Sequence, residues 1–215
     1  METRKSIPKI QLFLSLKYDN INLKKIENTI HIMPKERIIK YNKLQKNESR
    51  LNCFLGYYLL FYALKKNKIV KNPPSFRYSK NKKPSLNFTN KISFNISHTK
   101  NLVAVAISKE SVGVDVETIE NSKLKTIKKI CCEEEYLKFL KSKNKENFFF
   151  KVWTKKEAFC KQRGISIFNN VLKINTLNLK NIKTFFFENT AISVSYNKSF
   201  KLKTFIVDVA DLFKD

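Results

Sequence analysis

Two acidic residues, Asp115 and Glu117, stand two positions apart in a short segment that runs from Val112 to Glu117. Because a β-strand turns successive side chains to opposite faces, this segment is predicted to place its valines on one face and Gly113, Asp115 and Glu117 on the other. The Cα atoms of the two acidic residues would then lie roughly 6.5 to 7 Å apart, close enough for both carboxylates to reach one cation. On their own, the two residues are more simply interpreted as the polar face of a half-exposed strand.

A second segment, Trp153 to Lys161, adds further charged groups. If it is helical, Trp153, Glu157 and Lys161 form one stripe at a spacing of four residues, with Lys156 beside it. Carboxylates without Cys or His among them are hard oxygen ligands, which favour Mg²⁺ and leave positions for water and phosphate oxygens. We interpret the strand and the helix as facing each other across a cleft that holds Mg²⁺ and the pyrophosphate of a nucleotide-like cofactor.

The composition is that of a globular protein. With 215 residues, 42% of them hydrophobic, the chain can bury a core as one domain or as two small lobes. Its net charge of +25 predicts attraction to an anionic partner, but the basic residues are spread along the whole chain. A basic nucleic-acid-binding module remains an alternative, although it requires exposed stacking rings, whereas most aromatic residues here lie in apolar segments.

The apolar segments predict neither secretion nor a membrane span. The first one, from Ile10 to Leu16, alternates as a strand does, unlike the continuous apolar core of a signal peptide. The longest apolar run, from Leu51 to Leu64, is too short to cross a membrane. The four cysteines show no metal-ligand spacing and are predicted to be reduced. We therefore expect a cytoplasmic protein without a zinc site.

Hydrophobic periodicity predicts the elements that must position these residues. Helices are expected at 34–43, 50–64, 124–140 and about 148–162, and strands at 10–16, 92–97, 102–107, 112–117, 184–187, 192–196 and 204–209. The strands 102–107 and 112–117 are predicted to pair as a hairpin, and the last three strands to form an antiparallel sheet. The fourth helix begins either at about Phe148 or at Thr154, which with Glu157 has the pattern of a capping box. Strands and helices in each half, without a crossover glycine motif, predict α+β lobes.

Several motifs, in a fixed order, resemble the signature of the 4′-phosphopantetheinyl transferases, in the two-lobed Sfp-type (surfactin-type) branch. They are Asn95-Ile-Ser-His98-Thr, Gly113-Val-Asp115-Val-Glu117 and Trp153-Thr-Lys-Lys156-Glu157-Ala-Phe-Cys-Lys161. The earlier Glu36-Arg37-Ile-Ile-Lys40-Tyr, Arg50 and Lys83-Pro84 look like that branch's cofactor-binding pattern. The resemblance covers about residues 34 to 164, and its specificity comes from the order and spacing of the motifs.

The resemblance implies transfer of the phosphopantetheine arm of coenzyme A to a serine hydroxyl of an acyl, peptidyl or aryl carrier protein, with release of 3′,5′-ADP. It implies that Mg²⁺ is held by Asp115, Glu117 and Glu157, and that catalysis depends on Asp115, Lys161 and Glu157, the last as general base. The positions that match coenzyme A contacts are Arg37, Lys40, Arg50, Lys83, Ser97, His98, Lys156 and Lys161.

The fold that the resemblance implies has two similar α+β lobes, related by a pseudo-twofold axis, with the active site in the groove between them. Residues 1–100 would form the N-terminal lobe, with the coenzyme A contacts, and residues 101–215 the lobe with the Mg²⁺ site and catalytic helix. We expect a monomer that acts on an acidic carrier protein and binds neither nucleic acid nor membrane. Lys82 and Phe61 depart from the family, which often has Gly and Arg there, and both bear on coenzyme A affinity. A carrier-binding relative that has lost catalysis is a second alternative.

Overall fold

Five α-helices and nine β-strands form the part of the chain that the computed structural model describes, residues 9–16, 28–79, 83–100, 102–121 and 124–213. The strands are β1 (Lys9–Leu16), β2 (Phe76–Tyr78), β3 (Pro84–Leu86), β4 (Ser93–Thr99), β5 (Leu102–Ser108), β6 (Gly113–Thr118), β7 (Ile182–Phe187), β8 (Thr190–Ser195) and β9 (Lys201–Asp208). The helices are α1 (Lys35–Lys43), α2 (Asn47–Lys66), α3 (Leu124–Ile130), α4 (Glu133–Lys141) and α5 (Lys145–Arg163). The mixed α+β class is confirmed. Lys82 lies outside the described residues.

Four strands form a first sheet in the order β4-β5-β1-β9. Strand β1 runs antiparallel to β5 and parallel to β9. The predicted hairpin of β5 and β6 is wrong, because β5 pairs with β4 and β1. All seven residues of β5 are buried, so this strand is suited to the interior of a sheet, where both of its edges are occupied.

The second sheet has the order β6-β8-β7, and its pairs are antiparallel. The prediction that all three C-terminal strands share one antiparallel sheet is therefore wrong for β9, which extends the first sheet. Tertiary pairing with β1 determines the place of β9, and the local pattern of a strand does not specify its partner.

The two sheets pack face to face between two helices. Helix α2 covers one face of the first sheet, where Phe13 packs in one hydrophobic cluster with the buried residues of α2. On the opposite face, Leu12 and Ala104 pack against Val114 and Ile192 of the second sheet. Helix α5 packs on β6 and β8 from the other side. The predicted alternation is thus confirmed: the valines of β6 point between the sheets, while Gly113 faces α5.

Helix α5 is the longer of the two alternatives predicted for it. Asn144 caps it, and the side chain of Asn144 accepts from the N–H of Asn147 at 3.0 Å. Gly164 ends it in the left-handed conformation, with φ of 66°. Thr154 is not a cap, since its hydroxyl donates to the Phe150 carbonyl within the helix. The predicted 124–140 helix is instead two helices, α3 and α4, with Cys132 capping the second.

Gly113 allows α5 to lie unusually close to β6. A Cβ atom at this position would be 2.0 Å from the Ala158 carbonyl oxygen and 2.5 Å from the Gln162 nitrogen. No other residue fits between these two backbones without moving one of them. This close approach fixes the position of the helix that carries Glu157 and Lys161. None of the helices in the described ranges has both the length and the hydropathy that a membrane span requires.

Candidate active site

Side chains of β4 connect the first sheet to the open edge of β6. Asn95 Oδ1 accepts from the N–H of Val114 at 2.8 Å, and Ser97 Oγ accepts from the N–H of Val116 at 3.4 Å. Thr99 Oγ1 accepts from the next alternate N–H of β6 at 3.2 Å. We call Asn95, Ser97 and Thr99 the polar ladder. It satisfies main-chain donors that would otherwise be unpaired at a sheet edge, and so it fixes β6 beside β4.

Asp115 lies at the centre of the site and is only 2% exposed. Its Oδ1 accepts from Lys161 Nζ at 2.6 Å and from Ser97 Oγ at 3.1 Å. Lys161 Nζ also donates to Ser97 Oγ at 3.0 Å, which closes a triangle of contacts among three elements. Burial raises the pKa of Asp115, and the positive charge of Lys161 opposes that rise. The second oxygen, Oδ2, is buried and has no hydrogen-bond partner.

Glu117 and Glu157 lie near Asp115. Trp153 Nε1 donates to Glu117 Oε1 at 3.0 Å, so the first residue of the predicted helical stripe orients the second strand carboxylate. Burial and the negative charge of Asp115 raise the pKa of Glu117 to about 7. Burial, followed by the charge of Asp115, also raises the pKa of Glu157. The three carboxylates predicted from the two segments therefore lie within electrostatic range of one another.

The chemistry of this group suits a divalent cation, although Lys161 now supplies the positive charge. Among the described residues, no three His, Cys, Asp or Glu side chains are arranged closely enough to hold a metal ion. However, Asp115 Oδ2 is a buried oxygen without a partner, and the three carboxylates repel one another. Both features are of the kind that a hard cation would satisfy, and the donors are all oxygens.

His98 lies at the end of β4, next to Ser97, with its side chain exposed. Although its surface is exposed, the surrounding protein partly desolvates the ring, and this desolvation, together with the positive charges of Lys161 and Lys40, lowers the pKa of His98. Shielding and the charge of Arg37 similarly lower the pKa of Lys40, on α1. His98 is therefore close enough to Lys40 of α1 and Lys161 of α5 for both charges to act on it.

Arg37 and Arg50 are engaged within the α1 and α2 region. Arg37 is buried, and its Nη2 donates to the Cys53 carbonyl at 2.8 Å, while its Nε has no partner. Arg50 Nε donates to the Leu44 carbonyl at 2.7 Å, in the connection between the two helices. Each arginine keeps further guanidinium donors beyond these bonds.

Lys83 lies directly before β3, and its side chain reaches the end of α5. Its Nζ donates to the Gln162 carbonyl at 2.7 Å, to Ser111 Oγ at 3.0 Å and to the Val112 carbonyl at 3.4 Å. Burial lowers the pKa of Lys83 to about 8. Beside it lies an open pocket of about 530 Å³ that Arg77, Lys109 and Arg163 also line. Lys83 therefore lies at the rim of a basic pocket as well as within the protein's own bonding network.

Lys156 lies apart from the carboxylates. Its side chain is fully buried and forms an ion pair of 2.7 Å with Glu135 on α4. It also donates to the carbonyls of Ile130 and Val171, each at 2.7 Å. These three bonds use the three donors of the ammonium group, so none is left for a phosphate in this arrangement.

Asn95, Thr99 and Glu135 were not predicted as site or scaffold residues. The polar ladder had a signal in the sequence, because its members recur at every second position of a strand. Glu135 had none, since its role depends on Lys156 from a different helix.

Comparison with known proteins agrees with the motifs. Residues 111–210 match the family model described as the 4′-phosphopantetheinyl transferase superfamily. This range contains Asp115, Glu117, Glu157 and Lys161. The predicted coenzyme A contacts on α1, α2 and β4, and Lys83 just before β3, precede it.

Similar individual proteins include three named 4′-phosphopantetheinyl transferases. The chain is 38% identical over 92 residues to gsp of Aneurinibacillus migulanus, covering 41% of this chain and 38% of that protein. It is 32% identical over 108 residues to psf-1 of Bacillus pumilus, covering 49% and 44%. It is 34% identical over 73 residues to Sfp of Bacillus subtilis (strain 168), covering 33% of each. The matched region thus spans less than half the length of these curated relatives. The match of residues 111–210 to this family model, together with the named relatives, confirms the resemblance that the motifs indicated.

Proposed function

We propose that this protein transfers the 4′-phosphopantetheine arm of coenzyme A to a serine hydroxyl of an apo carrier protein and releases 3′,5′-ADP. In this reaction the serine oxygen bonds to the phosphorus that carries the pantetheine arm, and the bond from that phosphorus to the adenosine bisphosphate breaks. The observation that supports the proposal most directly is the buried Asp115 carboxylate, which has one oxygen bound to Lys161 and the other without a partner. The curated relatives are named for the same activity.

We assign Mg²⁺ to Asp115, Glu117 and Glu157, whose side chains would have to draw closer together to hold it than they do in the described arrangement. When bound there, Mg²⁺ would withdraw charge from the pyrophosphate and orient it for in-line displacement. Asp115 supports this assignment through its unpartnered oxygen, and Glu117 through the pKa of about 7 that burial and Asp115 impose on it. Both carboxylates are held in place by neighbouring side chains, Ser97 for the first and Trp153 for the second.

Glu157 is the proposed general base for the carrier serine. It is half-buried, and burial together with the charge of Asp115 raises its pKa, which makes it a stronger base than an exposed glutamate. Lys161, one turn along the helix, would neutralise negative charge that builds on the phosphates and the leaving group. Its side chain is 30% exposed, more than the Asp115 side chain that it contacts.

Coenzyme A is proposed to contact the basic residues that surround this group. His98 lies within the field of Lys40 and Lys161, which supports its placement at the nucleotide together with Ser97. The adenosine and 3′-phosphate part is assigned to Arg37, Lys40, Arg50 and Lys83. Of these four, Lys83 lines the basic pocket of about 530 Å³. Lys156 is assigned a structural role instead, as the partner of Glu135 in a buried ion pair.

The proposed architecture is that of two similar lobes around a pseudo-twofold axis, divided near residue 100, with the site in the groove. The contacts of Asp115, which reach β4 and α5, support a site between the two halves. The division does not separate the strands completely, since β5 and β9, from residues 101–215, pair within the first sheet. A cytoplasmic monomer acting on an acidic carrier is proposed, because one chain supplies every assigned residue and its net charge is +25.

The proposal is tested by mixing the purified protein with coenzyme A, Mg²⁺ and a panel of apo carrier proteins. Mass spectrometry should show one carrier heavier by a single phosphopantetheine group. Asp115→Asn and Glu157→Gln should each lower the rate by at least about 100-fold, whereas Glu133→Gln, at an exposed residue of α4, should not. Coenzyme A binding without any transfer would instead indicate an inactive carrier-binding relative. Salt-sensitive DNA binding without coenzyme A binding would indicate the nucleic-acid module.

A further inference from the structure

A separate group of basic side chains lies on the side of α5 that faces away from the carboxylates. Lys155 and Glu157 are two residues apart on the helix, so their side chains point about 160° apart. Lys151 lies one turn before Lys155, and Lys183 belongs to β7, an edge strand of the second sheet. These three lysines line a recess of about 460 Å³, which we call the lysine recess.

The lysine recess is lined by positive charge, which the nearby Glu135 of α4 only partly offsets at Lys155. No Asp or Glu is among its lining residues, and the ion pairs of the described residues use Lys156, Lys161 and Lys198 instead. Lys155 is half-buried, and shielding from water together with the charge of Lys151 lowers its pKa. Three cations around one recess repel one another, so an anion placed among them would lower the free energy.

The other lining groups make the recess suitable for a small ligand. Ile182, Phe185 and Leu202 contribute apolar walls, which strengthen the field of the lysines by excluding water. Thr184 also lines the recess, but its hydroxyl already shares a hydrogen bond of 2.8 Å with Ser193. Recognition would therefore depend on the ammonium groups, each of which can donate to several oxygens.

We infer that the lysine recess is an anion site, separate from Asp115, Glu117 and Glu157, and that it binds a ligand of the phosphate class. The flexible ammonium groups of Lys151, Lys155 and Lys183 suit a compact ligand with several charged oxygens, such as a pyrophosphate or the phosphates of a nucleotide. This inference does not depend on the proposed transfer reaction, because it concerns residues that have no assigned role in it.

The test is a titration of the full chain, without Mg²⁺ or carrier, followed by ¹H–¹⁵N correlation spectra. Inorganic pyrophosphate and adenosine 3′,5′-bisphosphate are the two probes. Saturable shifts are expected at the amides of Lys155, Lys183 and Thr184. The triple variant K151Q/K155Q/K183Q should bind at least about tenfold more weakly at the recess. A matched variant, K138Q/K141Q/K145Q, removes the same charge from exposed lysines and should stay within about twofold of the wild type.

The single variants K151Q and K183Q, whose spectra should otherwise match the wild type, separate a binding defect from a folding defect. Each should weaken the recess shifts in part. Tighter binding of pyrophosphate would assign the site to free phosphate chains, and tighter binding of the bisphosphate would assign it to nucleotides; either supports the inference. The absence of saturable shifts at the recess, or an equal loss in the matched variant, would overturn it.

Discussion

Lys161 Nζ lies 2.6 Å from Asp115 Oδ1, and it is the one ammonium group within ion-pair distance of that buried carboxylate among the described residues. The surface pair of Lys198 and Glu110 has the same separation of 2.6 Å, but both of its side chains are largely exposed. The two pairs therefore differ in burial and not in distance. Because desolvation determines how much an unpaired charge costs, they form a matched comparison.

Lys161→Met should destabilise the protein by about 1–3 kcal/mol, because it leaves Asp115 buried without its counter-charge. Lys198→Met should cost much less than Lys161→Met, since water solvates Glu110. The double variant Asp115→Asn/Lys161→Met should regain most of the lost stability and still lack transferase activity. Urea unfolding measures the first effect and carrier modification the second. Equal costs for the two lysine variants would show that Asp115 does not depend on this ammonium group.

The polar ladder should be necessary for the position of β6. Asn95→Ala removes the acceptor of the buried Val114 N–H and should cost about 1–3 kcal/mol. Hydrogen exchange of the Val114 amide should accelerate by more than that of its neighbours. Ser93→Ala, two residues earlier on the same face of β4, removes no member of the ladder and serves as the control. Unchanged protection of Val114 in Asn95→Ala would mean that another group accepts from this amide.

Local periodicity predicted the parts of the site that lie on single elements. The alternation from Val112 to Glu117 required only the twofold repeat of a strand, and the stripe of Trp153, Glu157 and Lys161 required only a helix. The structure brings these groups together. Periodicity could not predict the contacts of a residue whose partners come from elsewhere in the chain. Lys156 is adjacent to Glu157, but its partner Glu135 belongs to a separate helix.

Strand partners were the other feature that local pattern did not determine. Strands β5 and β6 are separated by a short connection, which favoured a hairpin, but β5 lies in the middle of the first sheet. Strand β9 follows β8 closely in sequence and nevertheless pairs with β1. Both outcomes depend on which apolar faces are covered by the rest of the protein, a property that no single segment carries.

Gly113→Ala should disrupt the contact of α5 with β6. Its Cβ would lie 2.0 Å from the Ala158 carbonyl, a main-chain atom that moves only with the helix. We expect a loss of at least about 3 kcal/mol and of activity. At Gly56 the nearest atom to a new Cβ is Ile96 Cγ2 at 3.0 Å, a side-chain methyl, and the position lies inside α2. Gly56→Ala should therefore change stability by less than about 1 kcal/mol. Similar losses in both variants would contradict the close-approach explanation.

Mg²⁺ should stabilise the wild type if the carboxylates bind it. A ligand present at 100 times its dissociation constant adds about 2.7 kcal/mol to the free energy of unfolding. The rise in Tm should disappear in Asp115→Asn and persist in Glu133→Gln. The measurement is thermal unfolding with and without Mg²⁺, alone and with coenzyme A. No change in Tm under either condition would contradict the assigned metal site.

Lys83 predicts a change of stability with pH. Burial lowers its pKa in the folded protein to about 8, below its ordinary value of 10.5. Between these two values the unfolded chain binds more protons at this residue than the folded chain does, so the contribution of Lys83 to stability increases as pH rises. Below about pH 8 the buried charge carries its full desolvation cost. The difference in free energy of unfolding between wild type and Lys83→Met should therefore shift in favour of the wild type from pH 8 to 10.5. Urea unfolding across this range measures that difference, and a ¹³C titration of the lysine side chain measures the pKa directly. A constant difference would show that the three bonds to Ser111, Val112 and Gln162 fully compensate the burial of the ammonium group.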